Sequence, residues 1–511
     1  MKTSRHQNVA RRKRRIQRRL RPRTWNAQPT PMFRASNMRY EHSDRVRGLE
    51  SGGIGAMHRL AQHTGLVAAL DQQVKLLKVH LPYHESDHVL NVAYNILCGG
   101  TCLQDIELRR QNEVYLDALG AQRIPDPTTA GDFCRRFDVA EIEALQSAIN
   151  ATRVRVWRAQ PATFFDEAVI DADGTLAETT GQCKEGMDIA YDGVWGYHPL
   201  VVSLANTGEP LYLVNRSGNR PSSEGAAERF DQARALCQDA GFRRVTFRGD
   251  TDFSQTEHLD RWDAAGVRFL FGYDARANLI READALPARA WTRLVRRPPY
   301  EVQTEPRQRP VNVKAATIVE REFKNLRLTA EAVAEFAYQP IACTTRYRMV
   351  VVRKNISVEQ GDQRLFDEIR YVFYLTNDRE TAATDVVFLA NDRCNQENLI
   401  DQLKHGVGAT QMPVDTLLSN WAYMVMAALA WTLKAWFALR LPATGRWAAR
   451  YAAEKAAVLR MEFKAFLHAF MLMPVQVVRT GRRLVFRLLA WNPWQTVFLR
   501  GFDGLREPLR C

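Results

Sequence analysis

Between residues 163 and 274 the sequence reads strand, strand, strand, helix, strand, helix, strand, and few folds accept that order. FFDEAVIDADGT is an apolar run that rises to acidic residues. GYHPLVVSLA and EPLYLVN follow as two strands joined by Asn206, Thr207 and Gly208, a turn composition. SEGAAERFDQARALCQDAG reads as a helix that Gly241 stops, FRRVTFRGD as a fourth strand, SQTEHLDRWDAAG as a second helix and VRFLFGYD as a fifth strand. Three antiparallel strands leading into parallel ones make an α/β sheet covered by helices.

Two of these strands end on aspartates. Asp173 closes VIDADGT before Gly174 and Thr175, where backbone and ligand can approach closely, and Asp250 follows the apolar run and glycine of VTFRGD. Asp171, two residues before Asp173, shares its strand face and is a second candidate for the same role. A third acid lies in NDRCNQENLIDQLKHG, residues 391–406. On a regular helix Glu397 falls about 40° from Arg393, and Lys404 about 20° back from Glu397, so one face carries a carboxylate flanked by two cations. Each acid alone reads as a solvated strand-end or helix-face residue, and Arg393 and Lys404 as salt-bridge partners of Asp392, Asp401 or Glu397. Together they form the set that phosphoryl chemistry requires: carboxylates for two Mg²⁺ ions, which Mn²⁺ can replace, and cations for the phosphate. His198, in GVWGYHPL, is a further possible site residue, although beside Pro199 it also reads as a structural histidine.

Charge points to the partner. The 511 residues carry net charge +14, yet the first 23 hold eleven Lys and Arg and no acid, leaving about 60 basic against 57 acidic residues elsewhere. A basic arm on a balanced body suits a phosphate backbone bound by counterion release; the alternatives are a transit peptide or a solvated tail. Eight scattered cysteines, with Cys98-x3-Cys102 the closest approach to a motif, suggest structural thiols rather than a zinc site or disulfides, and a cytoplasmic protein. The uncharged stretch from Thr416 to Leu433 approaches the length of a membrane span. Asp415 and Lys434 bracket it closely, and Ser419, Asn420 and Thr432 interrupt it, so it reads as a buried helix behind the site, with no membrane partner.

These residues resemble the DDE transposases of bacterial insertion sequences, in the insertion-sequence-four superfamily and nearest its insertion-sequence thirteen-eighty group. The resemblance spans about residues 50 to 470 and rests on DADGT, KEGMDIAYDGVWGYHPL, RGDTDF and the R-x3-E-x6-K element. It implies Asp173, Asp250 and Glu397 as catalytic metal ligands, with Arg393 and Lys404 on DNA phosphate. It further implies a ribonuclease-H-like core with a β-rich insertion, the fold that the strand order also suggests. Double-stranded DNA is then the partner, both terminal inverted repeats and target, with a homodimer as the working complex. The superfamily tyrosine seven residues before the glutamate, which assists in handling DNA ends, is replaced by Ala390 here.

The expected organisation is a basic arm and linker (1–45), a helical DNA-binding region (46–160), the first part of the core (161–274) and a β-rich insertion (275–388). The catalytic helix and further helices (389–475) and a basic tail (476–511) complete it. Within the first helical region, Ser86 or Asp87 caps a helix that ends at Gly99-Gly100, and Pro127 opens a short helix bearing Arg135 and Arg136. LTAEAVAEFA, inside the insertion, reads as a helical patch. A ribonuclease or resolvase on the same core would share the metal chemistry, but would explain neither the long insertion nor the cations around Glu397. A catalytically inactive, domesticated DNA-binding derivative would keep the acids without using them.

Overall fold

The computed structural model describes residues 2–21, 46–296, 313–361, 363–481 and 483–505, together with a few isolated positions before residue 46. Its centre is a nine-stranded mixed sheet. Eight of the strands are β1 (Ala168–Gly174), β2 (Leu200–Leu204), β3 (Glu209–Val214), β4 (Val245–Gly249), β5 (Arg268–Tyr273), β6 (Asn325–Tyr338), β7 (Tyr347–Gln360) and β8 (Gln363–Thr376). The spatial order is β6-β7-β8-β5-β4-β1-β2-β3, with the two-residue strand Thr292–Arg293 outside β6. β1 runs parallel to β4, and β4 to β5, whereas β2 is antiparallel to both β1 and β3. The five strands between 168 and 273 therefore carry the order and directions expected from their sequence.

The segment after β5 is not a separate body. β8 returns antiparallel to β5, pairing Phe373 with Tyr273 and Thr376 with Leu270, so the long strands β6, β7 and β8 extend the same sheet. One expectation is overturned here, because LTAEAVAEFA lies in β6 and not in a helix. Its Ala- and Glu-rich composition favours a helix locally. Thirteen residue pairs with β7, from Asn325–Glu359 to Tyr338–Tyr347, outweigh that preference.

Helices cover both faces. Those used below are α1 (Lys2–Leu20), α2 (Glu85–Leu97), α3 (Val139–Arg158), α4 (Ala226–Ala240), α5 (Ala383–Asn391), α6 (Cys394–Asp401) and α7 (Leu417–Leu439). Strand alternation sends Ile170, Ala172 and Phe247 to one face, where Phe230 of α4 stacks on Phe247 at 4.6 Å between ring centres. It sends Asp171, Asp173, Ser203 and Arg248 to the other, beneath α5 and α6. Gln396 of α6 clips that face by donating to the Val201 carbonyl at 3.0 Å and accepting from Ser203.

α7 is the uncharged stretch noted above, and its most apolar 18-residue window is wholly buried within the fold. Its indoles show why the sequence needs it there. Trp421 donates to the Leu213 carbonyl at 2.5 Å and Trp431 to that of Gly208 at 2.7 Å, so α7 satisfies the edge of β3, which would otherwise expose unpaired backbone. Glu209 ties α3, α7 and β3 together, accepting from Arg153 at 3.1 Å, Trp157 at 2.9 Å and Trp436 at 2.8 Å while fully buried. Glu209→Ala strands the buried Arg153 guanidinium. The expected result is a loss of about 3–5 kcal/mol of unfolding free energy, read as a lower urea midpoint at unchanged slope.

At the termini the structure adds order that the sequence reading lacked. The described part of the tail, as far as residue 505, is folded. Val475–Thr480 and Arg483–Leu488 form a hairpin, Gly48–Leu49 pairs with its first strand, and a helix follows at Gln495–Gly504. The basic arm is helical as α1, and Arg12 donates to the Leu489 carbonyl just beyond the hairpin. α2 starts two or three residues earlier than expected: His84 is its N-cap, and Asp87 closes the cap by accepting from the His84 amide at 2.9 Å. Arg135 is held in ion pairs with Asp132 and Asp415, both at 2.8 Å.

Candidate active site

Three elements far apart in sequence deliver the three acids to one end of the sheet. Asp173 is the penultimate residue of β1. Asp250 directly follows β4 and caps a short turn, accepting from the Asp252 amide at 3.0 Å. Glu397 stands in the first turn of α6, on the sheet face to which Asp173 points. Arg393 joins them. Its guanidinium donates to Asp173 at 3.1 Å, lies 3.8 Å from Glu397, and draws on the charge of Asp250.

The electrostatics are unbalanced. Burial pushes the Asp173 carboxyl up to about 6; Arg393 pulls it down, and Asp250 raises it further. Asp250 is also raised, by burial first, with Arg393 opposing and Asp252 adding to the shift. Asp173 and Asp250 thus share a neighbourhood with Arg393, with Asp252 beside Asp250 and Glu397 3.8 Å from the guanidinium. Oxygen-only donors with excess negative charge suit a hard divalent cation. The residues therefore fit Mg²⁺, although oxygens of all three acids do not lie within 4.8 Å of one another. Glu397 stays largely exposed, its side chain 63% accessible, with Arg393 lying against it.

Asp171 has a different place. It is buried and receives both arms of Arg248, at 2.7 and 2.8 Å, from the position opposite it on β4. Burial raises its carboxyl, against the pull of Arg248. Arg248 also donates to the Leu389 carbonyl at 2.8 Å, four residues before Arg393. With both oxygens engaged, Asp171 braces the segment that carries Arg393, whereas Asp173 has one oxygen bound, to Arg393.

Lys404 does not continue α6 regularly. The chain widens into a π-turn at Gln402–Gly406, so the ideal helical angle to Glu397 is lost. Burial lowers the Lys404 pKa, Asp401 opposes the shift, and the Lys404 charge is felt by His198. His198 is buried, and its Nδ1 donates to the Arg220 carbonyl at 2.7 Å. Its Nε2 lies against Gly174, where an added Cβ would come within 2.8 Å. Burial lowers its pKa, with Asp252 and Lys404 pulling in opposite directions. Nε2 thus packs where a Gly174 side chain would stand, on the face of β1 opposite Asp173.

Arg248, Asp252 and Gln396 are site-building residues that the sequence reading missed. A lone arginine in an apolar strand, two residues before Asp250, was the available signal for Arg248. An open cleft of about 490 Å³ adjoins the site, lined by Asp252, Tyr273, Arg276, Tyr338 and Ile341.

Residues 49–508 match the family described as Transposase DDE domain group 1. The chain belongs to that family. Its members are transposases, and the match covers every site residue above. Among solved structures, the chain is similar to the piggyBac transposase in a synaptic complex with hairpin DNA, at 10% identity and a TM-score of 0.38, over 92% of this chain and 84% of that one. No curated protein matches the sequence.

Proposed function

We propose that this transposase acts on an insertion sequence, as a member of the insertion-sequence-four superfamily and its thirteen-eighty group. It binds terminal inverted repeats, cuts DNA at the element ends and transfers the strands to target DNA. The observation that carries this reading is the convergence of Asp173, Asp250 and Glu397, from three elements, around Arg393. The order β3-β2-β1-β4-β5, with β2 alone antiparallel to its neighbours within a partly parallel sheet, supports a ribonuclease-H-like core.

In this mechanism Asp173, Asp250 and Glu397 would hold two Mg²⁺, whose chemistry when bound would be to activate an attacking oxygen and neutralise a leaving one. The chain's own residues prepare the rest. Arg393 offers a planar pair of donors to a phosphate once the carboxylates are otherwise engaged. Lys404, destabilised as a cation by burial, gains most from an anionic neighbour. His198, its Nδ1 fixed on the Arg220 carbonyl, packs against Gly174 and holds the end of β1 that carries Asp173. Asp171 and Arg248 keep the support of Arg393 rigid. The working complex is a homodimer on double-stranded DNA in the cytoplasm.

The test is cleavage of a plasmid carrying the gene's own flanking sequences, with Mg²⁺, Mn²⁺ or chelator. Metal-dependent cuts at the repeat ends support the proposal. Binding without cleavage under every metal condition would leave a DNA-binding derivative instead. The arm makes a separate contribution. Deleting residues 1–23 is expected to weaken DNA binding and to lower the slope of log K against log salt by at least about 2, the loss of two or more phosphate contacts. Titrations from 50 to 300 mM salt measure it, and an unchanged slope would mean that the arm does not meet DNA.

A further inference from the structure

Away from the carboxylates, the connection between Val74 and α2 gathers His80, His84 and Glu85. Ligand atoms from all three lie within 4.8 Å of one another, the one such group of three His, Cys, Asp or Glu side chains among the described residues. The carboxylate is preset. Glu85 is 1% exposed, one of its oxygens accepts the Leu77 amide at 3.0 Å, and the other faces His80 Nε2 at 3.1 Å. Burial raises its carboxyl, but the Leu77 amide and His80 outweigh that and hold it below the usual range, as an anion.

An ion pair would account for His80 and Glu85 alone. It does not account for His84, whose ring stacks on that of His80 with centres 4.1 Å apart and planes 15° apart. The stacking thus brings two imidazole rings together beside one fixed carboxylate. We propose that His80, His84 and Glu85 form a binding site for a divalent transition-metal ion of the zinc class, one that fastens the 74–84 connection to the start of α2. Two imidazole nitrogens and one carboxylate oxygen are a borderline-soft donor set that favours Zn²⁺ or Co²⁺ over Mg²⁺, with a fourth position left for water. Parallel rings cannot both aim in-plane lone pairs at one point, so binding turns one of them. His84 is exposed and can turn. The buried carboxylate offsets the cost of placing a cation at the positive end of a helix. The donor chemistry differs from that of the Asp173 site, and the two sites should fill independently.

The experiment uses the full chain, stripped with chelator and then held in excess Mg²⁺ so that the oxygen-only site favours that ion. Co²⁺ is titrated and followed by its visible absorption, and Zn²⁺ is then added. The expected result is one equivalent of Co²⁺ with the intense band of a four- or five-coordinate site containing nitrogen ligands, displaced by Zn²⁺. His80→Ala and His84→Ala, both at exposed positions, should each weaken Co²⁺ binding at least about tenfold. Circular dichroism of each variant checks that it is folded. Wild-type protein without the band, or a band unchanged in both folded histidine variants, would overturn the site. So would loss of the band in Asp173→Asn alone, which would assign the cobalt to the carboxylates.

Discussion

Asp173→Asn and Glu397→Gln are each expected to abolish Mg²⁺-dependent strand cleavage, by at least about a thousandfold, while binding of element ends persists. Both substitutions keep shape and remove a charged oxygen ligand, so the loss is specific to charge. At about 1.4 kcal/mol per factor of ten, a thousandfold is about 4 kcal/mol of lost stabilisation, within reach of removing one carboxylate from a two-metal site. The variants should separate on stability. Asp173 has its folded pKa raised from 3.8 to about 6, so its charged form is the one that burial penalises. The penalty is absent below about pH 4, grows as pH rises through 6, and is fully present at pH 8. Asn removes it, and metal-free Asp173→Asn should therefore be more stable than wild type at pH 8, by up to about 3 kcal/mol, with the gain vanishing toward pH 4. Glu397 is mostly exposed, and its substitution should leave metal-free stability nearly unchanged. Gel-based cleavage, end-binding titrations and denaturant melts at the two pH values read all three. A cleaving Glu397→Gln would remove that residue from the site.

The acids were legible because each sits where a regular pattern stops. Apolar alternation marks β1 and β4, and Asp173 and Asp250 stand where it ends; helical spacing relates Glu397 to Arg393. Local pattern could not supply what depends on partners distant in the chain. The pairing of Asp171 with Arg248 joins residues 77 apart, and without it Asp171 and Asp173 look equivalent on one strand face. Nor could local pattern show that His198 packs its Nε2 on Gly174 and donates from Nδ1 to the Arg220 carbonyl. The same limit explains the strand β6, where residue preference favoured a helix and pairing with β7 decided otherwise. It also explains Lys404, since the π-turn that displaces it comes from packing around Gln402, whose side chain accepts the Phe463 amide at 2.8 Å.

Arg248→Met is expected to destabilise the protein by about 3–5 kcal/mol, because it leaves Asp171 buried and unpaired. The pair is 1% and 6% exposed at its side chains, and water cannot replace the lost donors without opening the sheet. Asp171→Leu combined with Arg248→Leu should recover most of that stability, since two apolar side chains remove the uncompensated charge. Cleavage should not recover in the same way. Arg248 also holds the Leu389 carbonyl at the end of α5, and the chain runs from there through Asp392 to Arg393. The double variant keeps a dry, packed interior but frees that carbonyl, and Arg393 loses the support that sets it against Asp173. A displacement of about 1 Å at such a group can cost about a hundredfold in rate. Urea melts of both variants beside cleavage rates separate the two roles. Stability restored without activity would identify the pair as the brace of Arg393, whereas joint recovery of both would confine it to holding β1 against β4.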